Sequence, residues 1–235
     1  KASQELFVSQ PAITKHIQEL EATYQTRLFD RQGSKISLTE SGRLLLEHCE
    51  RILEDYKRLE YEMHLLHNEY IGELKLGAST TIAQYVLPPL LGSFIGKFPQ
   101  VNLSLLNGNS REIEAALQEH RIDLGLVEGV FRLPNLKYTT FLEDELVAVV
   151  HSKSRLQLPE EITPQDLPAI PLVLRERGSG TLDVIERSLQ KHGVKLSSLH
   201  VLMYLGSTES IKLFLENSDC MGIVSIRSIC KELAA

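Results

Sequence analysis

The chain has 235 residues, 43% hydrophobic and 24% charged, with a formal net charge of −6; this is the composition of one large or two ordinary globular domains and excludes disorder as the main state. No run of about 18 apolar residues occurs, so no segment reads as a membrane-spanning helix, and with no Trp and only 6% aromatics a platform of many stacked rings is disfavoured. Cys49, Cys220 and Cys230 form no CxxC pair and cannot all pair within one chain, which predicts buried free thiols in a reducing compartment.

The charge is unevenly spread. Residues 1–43 carry a net +1 and the remainder −7, a direction that fits a nucleic-acid-binding front end on an acidic body. Within that front end, "VSQPAITKHIQELE" (8–21) predicts a helix capped by Ser9, with Pro11 in the first turn, where its missing amide proton does no harm. Ile13, Ile17 and Leu20 recur at helical spacing and predict the inward face. Gln10, Thr14 and Gln18 form a polar row at i, i+4, i+8, with Pro11 and Lys15 beside it. Upstream, "ASQELFV" supplies Ala2 and Leu6, the end of a preceding helix and a tight turn. Downstream, "LFDRQGSKISLT" reads as two extended runs around Gly33 and Ser34, a hairpin with Arg31 and Lys35 near its tip. Helix, turn, helix and basic hairpin make the layout of a winged helix-turn-helix.

From Thr39 the pattern becomes a heptad. Leu45, Cys49, Ile52, Tyr56, Leu59, Met63, Leu66 and Tyr70 follow one another at alternating spacings of four and three, predicting one helix of about 45 Å that packs along another, with a second copy as the natural partner and an intramolecular helix as the alternative. Gly72 is expected to end it. His64 and His67 lie one turn apart, but without a matching second pair they predict no metal site.

Beyond residue 72, short apolar runs alternate with helical stretches at 110–119, 181–192 and 208–217. The runs are "ELKLGAS", "VNLSLLNG", "DLGLVEG", "LVAVVH", "IPLVLRE", "LHVLMYL" and "MGIVSI". This alternation predicts parallel sheets with right-handed crossovers, arranged as two lobes. Four strand-to-helix junctions resemble one another: "GASTT" (77–81), "NGNSRE" (107–112), "ERGSGT" (176–181) and "LGSTES" (205–210). Each places glycine and hydroxyl groups where backbone amides and a positive helix end point outward. Taken singly each is a helix cap; taken together, at the carboxyl edge of α/β sheets, they predict a ligand cleft. Asn109, Ser207 and Thr208 belong to it on this reasoning, and Glu128 in "LVEG" reads either as an acceptor or selectivity filter at the cleft or as a solvated loop acid. Arg175 and Arg177 flank a possible anion site. No phosphate-binding loop, HExxH or nucleophile signature occurs, so neither an enzyme nor a cofactor is predicted, and no catalytic residue is assigned.

The first 43 residues, with "SQPA", "HIQELE", "LFDR" and "LTESG" in order, resemble the DNA-binding segment of LysR-type transcriptional regulators, and the long helix and two-lobed domain follow in that family's order. The resemblance implies an α+β multidomain chain. It would have a winged helix-turn-helix over 1–42, a dimerisation helix over 43–71 and an effector domain over 72–235 resembling type 2 periplasmic binding proteins, with lobe I at 72–145 and lobe II at 146–225. It implies that Gln10, Pro11, Thr14 and Lys15 approach the major groove, with Gln18 on the same face, and that Arg31 sits near the minor groove. Gln suits adenine, Lys guanine or phosphate, and Thr a thymine methyl, while Lys35 would touch phosphate. In the effector domain it implies Ser79, Thr80, Ser110, Gly178, Ser179, Gly180 and Thr181 as ligand positions. The expected partners are double-stranded promoter DNA, a small polar or anionic metabolite, and further copies of the chain, as a dimer or tetramer in the cytoplasm. Relative to the family pattern, the first helix and part of the second are missing ahead of Lys1. Ala235 follows soon after the strand that should lead back to lobe I, so the sequence is expected to be a piece of a longer protein.

Overall fold

A computed structural model describes every residue except 1, 2, 4, 5, 33, 34, 68, 234 and 235, and all side chains of these residues except those of 31, 32 and 35. The chain divides into two compact units, Lys1–Tyr70 and Ile71–Ala235.

In the first unit, Ser9 caps helix α1 (Gln10–Tyr24), accepting from the Ala12 amide at 3.4 Å, with Pro11 in the first turn. A tight turn precedes it, in which Phe7 takes a φ of 52° and the Val8 amide donates to the Ser3 carbonyl. The predicted role of Ala2, and the hairpin tip at Gly33 and Ser34, lie outside the described residues. Ile13 and Ile17 are half-buried, but Leu20 stays 39% exposed, so only two of the three expected inward positions are covered. The Glu21 carboxylate takes the amides of Leu28 (2.8 Å) and Phe29 (3.4 Å), tying α1 to the hairpin of β1 (Phe29–Gln32) and β2 (Lys35–Leu38). These strands pair antiparallel, Phe29 opposite Leu38 and Gln32 opposite Lys35.

"LTESG" then starts the long helix α2 (Glu40–Leu66). Thr39 caps it by accepting from the Gly42 amide at 3.0 Å while its own hydroxyl donates to the Arg27 carbonyl at 2.6 Å. Gly42 is fixed by contact, since a Cβ there would lie 2.1 Å from the Leu28 carbonyl oxygen. With 27 residues α2 is about 40 Å long. It stops at Leu66, where the His64 carbonyl accepts from both His67 and Glu69 and the Glu69 carboxylate meets the His64 ring at 3.2 Å. Gly72 therefore does not end the helix but opens the next strand, and Tyr70 falls beyond it.

The second unit holds two sheets. Strands β3 (Gly72–Ser79), β4 (Val101–Gly108) and β5 (Leu124–Leu126) form one, in the order β4-β3-β5 and all parallel. Strands β6 (Leu146–Val149), β7 (Leu172–Arg175), β8 (Val201–Leu205) and β9 (Met221–Ser225) form the other, in the order β6-β9-β7-β8. Here the expectation of purely parallel pairing fails: β6 runs antiparallel to β9. No helix lies between β5 and β6, and this long connection carries the chain from the first sheet into the second. Helices α3 (Leu87–Lys97), α4 (Ser110–Gln118), α5 (Gly180–Lys191), α6 (Thr208–Leu215) and the short α7 (Cys230–Leu233) accompany the strands.

Fully buried Leu172, Leu174 and Met221 pack with Leu182, Ile185 and Leu189 of α5 on one face of the second sheet. Val173 and Val224 pack with Ile211 and Leu215 of α6 in a second cluster. A sheet covered on both faces explains why β7 lacks polar alternation. The first sheet's core is smaller, centred on Ile113, Ala116 and Ile122. Of the thiols, only Cys220 is buried; Cys49 and Cys230 are exposed, contrary to the expectation of burial. No described helix is long and apolar enough to cross a membrane.

Candidate functional site

The four predicted junctions do not behave alike. Three start helices with side-chain caps. Asn109 and Glu112 form a reciprocal capping box at α4, with Asn109 Oδ1 accepting from the Glu112 amide at 3.0 Å and Glu112 Oε2 accepting from the Asn109 amide at 2.8 Å. Ser179 caps α5 through the Leu182 amide at 3.1 Å, and Ser207 caps α6 through the Ser210 amide at 3.1 Å. After β3 the chain instead makes a π-helical turn, Ile82–Val86, without a side-chain cap, and the Leu87 amide reaches back to Ile82. Pro88 and Pro89, next in sequence, cannot donate to the carbonyls four residues earlier, which removes the ordinary α-helical register here.

Glu128 gathers residues from several elements. Its carboxylate accepts from Ser79 Oγ at 3.0 Å and from Thr181 Oγ1 at 2.9 Å, and its backbone carbonyl accepts from Ser110 Oγ at 3.0 Å. Ser79, Ser110 and Thr181 are all buried. The first sheet and the α5 turn come so close here that a Cβ on Gly180 would lie 2.2 Å from the Glu128 carbonyl oxygen. Beside it, Gly178 has a φ of +96°, which favours glycine, and its carbonyl accepts from the Arg111 amide at 3.2 Å.

A polar cavity of about 390 Å³ draws on all four junctions: Thr80 after β3, Asn107 to Asn109 at the end of β4, Glu176 after β7, and Gly206 and Ser207 after β8, with Gln84 and Glu112 completing the wall. Thr80, 7% exposed, donates to the Gly108 carbonyl at 3.2 Å. Thr80, Asn109 and Ser207 are thus brought to one cavity, while Ser79, Ser110, Glu128 and Thr181 are spent on one another. Gly178, Ser179, Gly180 and Thr208 shape the turns without lining the cavity. A larger cavity of about 520 Å³, walled by Val86, Leu126, Phe141 and Val184, touches only Glu128, Gly180 and Thr181 of the predicted residues; it draws on fewer junctions and suits a polar ligand less well.

Of the cavity wall, Gln84 lies outside the four predicted junctions, whereas Asn107, Glu112, Gly206 and, above all, Glu176 lie within them without having been singled out as ligand positions. Its neighbour Arg175 is 2% exposed and points inward. A carboxylate directly after an arginine at a strand end was the available signal.

Beyond the cavity, the second unit is tied across its sheets by Tyr85 of the π turn. The Tyr85 hydroxyl donates to Glu209 of α6, and Lys212 bonds to Glu209 at 2.9 Å, to the Ser228 carbonyl at 3.0 Å and to Glu232. Burial, and then the bond to Glu209, pushes the Tyr85 phenol above its ordinary range. The Tyr85 hydrogen bond holds Glu209 below the usual carboxylate value. Burial opposes the Lys212 charge, but the bonds to Glu232 and Glu209 outweigh it and raise its pKa.

In the first unit, Gln10, Pro11, Thr14, Lys15 and Gln18 are all exposed on α1. Thr14 Oγ1 is turned back to the Gln10 carbonyl at 3.1 Å, and Lys15 makes only a loose, exposed pair with Glu19 at 3.7 Å. The row therefore faces solvent with little to hold it. The side chains of Arg31 and Lys35 lie outside those described; their backbones pair with Ile36 and Gln32.

Two family models cover the chain: residues 1–43 match the bacterial regulatory helix-turn-helix protein, lysR family, and residues 67–235 match the LysR substrate binding domain. The HTH-type transcriptional regulator CysL of Bacillus subtilis is 30% identical over 233 residues, 99% of this chain and 77% of CysL. Among solved structures, the Synechocystis PCC6803 CcmR regulatory domain in complex with 2-PG is 30% identical with a TM-score of 0.60, covering 68% of this chain and 74% of that one. Full-length CbnR complexed with its target DNA is 24% identical with a TM-score of 0.60, covering 97% and 77%; at that identity it shows the shared fold. These matches are to regulators and not to enzymes. With both halves matched in order, the chain belongs to the LysR family of transcriptional regulators.

Proposed function

We propose that the chain binds promoter DNA as a homodimer and that a small polar, anionic metabolite in the 390 Å³ cavity alters how it holds that DNA. The observation that carries the ligand half of this reading is the convergence of all four strand-to-helix junctions on one polar cavity. Helix starts bring unpaired amides and positive dipole ends to such a place. The DNA half is supported by the solvent-facing row of Gln10, Pro11, Thr14, Lys15 and Gln18, with Arg31 and Lys35 of the hairpin as further contacts.

Dimerisation is supported by the heptad seam of α2. Leu45 is half-buried, but Cys49 is exposed, and Ile52, Tyr56, Leu59, Met63 and Leu66 are 52–76% exposed. So long an apolar stripe calls for a partner helix. Assembly beyond the dimer, to a tetramer, and work at the nucleoid in the cytoplasm complete the reading. CbnR with its target DNA and CcmR with 2-PG each exemplify one half of it.

The test is a thermal-shift screen of organic acids, sulfur oxyanions and sugar phosphates on the full chain, with each hit then added to an anisotropy titration of the DNA upstream of its gene. A hit should raise the melting temperature and change DNA affinity. Thr80→Val should lose the shift and keep basal DNA binding. A screen without hits, or a Thr80→Val variant that responds fully, contradicts the cavity assignment.

A further inference from the structure

Arg175 is a cation almost wholly removed from water, and the carboxylate beside it in sequence holds it. Its Nε lies 2.9 Å from Glu176 Oε2 and its Nη2 3.1 Å from Glu176 Oε1, a two-point fork; Nη2 also reaches Thr80 Oγ1 of the other sheet at 3.4 Å. The Arg175 side chain is 2% exposed, whereas that of Glu176 is 25% exposed and forms part of the cavity wall. The partner that neutralises the buried charge is therefore the half of the pair that can leave, and it leaves by the route a ligand would enter.

A buried, planar guanidinium fork needs an anion that offers two oxygens at once, and a carboxylate, sulfate or phosphate does so as well as Glu176 does. The other acid of the wall, Glu112, is engaged by the Asn109 amide and offers nothing to Arg175. Thr80 Oγ1 accepts from Arg175 while donating to Gly108, so the guanidinium is steadied from the first sheet when Glu176 swings out.

We propose that Arg175 is the anion receptor of the cavity and that Glu176 is its built-in competitor, an internal carboxylate that occupies the receptor until an oxyanion displaces it. This rests on the cavity being the effector site and adds how that site selects: a ligand must carry an oxyanion able to take over the fork, and neutral or cationic compounds of the same size leave the mask in place. Displacement also frees Glu176 from its tether beside the α5 turn, so one exchange of partners would change contacts on the strand-to-helix junctions of the second sheet.

The experiment is calorimetric titration of the full chain with inorganic sulfate and, separately, inorganic phosphate, with chloride at matched ionic strength as the control. Glu176→Gln keeps the shape and removes the competing charge. It should bind sulfate or phosphate about tenfold or more tightly than the unaltered chain, and the anion should restore melting temperature lost in the variant. The double variant Glu176→Gln with Arg175→Gln should lose the gain. If Glu176→Gln fails to fold, Glu176→Asp, which keeps the charge and shortens the reach, should show a smaller gain in the same direction. No gain in whichever of these variants folds, or a gain that survives loss of the Arg175 charge, overturns the masked receptor. Equal anion binding by the unaltered chain and Glu176→Gln, weakened in both by Thr80→Val, would overturn the mask and leave the effector reading standing.

Discussion

At the scale of single residues, two glycines in helices meet opposite surroundings. Gly180 starts α5 with its Cα against Glu128, where a Cβ would lie 2.2 Å from a carbonyl oxygen and 2.3 Å from its carbon. Backbone cannot yield as a flexible side chain does, so Gly180→Ala should cost about 1–3 kcal/mol and loosen the carboxylate bridge from Glu128 to Ser79 and Thr181. Gly92, within α3, has nothing within 4 Å of its would-be Cβ. There alanine should add up to about 1 kcal/mol by restricting the unfolded chain and favouring the helix. Chemical denaturation of both variants checks the pair; equal stabilities would show that the close approach at Gly180 is not a constraint. "ERGSGT" announced a turn of this kind. It could not announce that Glu128 would claim Thr181 and Ser79, because that contact joins residues 53 and 49 positions apart.

At the scale of elements, α2 and the Tyr85 tie each carry a prediction. The α2 seam is apolar and exposed, so Ile52→Glu should leave the helix intact and break its pairing. Sedimentation should then show the mass fall from a dimer to the 26.5 kDa single chain; an unaltered chain that already sediments at that mass contradicts the seam's role. The Tyr85 tie predicts a pH dependence. Glu209 is held below its ordinary value by the Tyr85 hydrogen bond, and Glu232 below its own by the Lys212 hydrogen bond. Their contribution is therefore present above the ordinary carboxylate value of 4.5 and is lost as pH falls through the depressed folded values. Tyr85 is raised, so its share persists below its ordinary value of 10.0 and fades only above it, as pH passes the folded value. Tyr85→Phe should cost about 1 kcal/mol at neutral pH, discounted for the exposure of Glu209, and the gap from the unaltered chain should close in acid. A gap that does not change between pH 7 and pH 3 would remove Glu209 from the explanation.

The heptad was legible because its period is local, and so was the Ser9 cap ahead of Pro11. The antiparallel sense of β6 was not, since it depends on what a long connection does between two distant strands. The π turn was hidden too, although Pro88 and Pro89 were the signal for it.

At the scale of the whole molecule, each of the two units performs one half of the proposed work, and the order of the segments in sequence made that division readable. Helix-turn-helix, hairpin, heptad and alternating strands follow one another without interleaving, so each could be interpreted by its own periodicity. What stayed illegible was the inside of the cleft. Four similar junctions implied one ligand site and Arg175 a possible anion site beside it, but burial and contact decided which side chains face the cavity and which of the two arginines, with Glu176 on it, turns inward. The central claim, that the α1 face reads promoter DNA, is tested most directly by fluorescence anisotropy with the DNA upstream of the chain's own gene, against an unrelated duplex, over a range of salt. The double variant Gln10→Ala with Lys15→Ala should lose about 2–4 kcal/mol of preference for the specific DNA while still binding both duplexes weakly and in a salt-dependent way. An unchanged preference in the double variant would contradict the account.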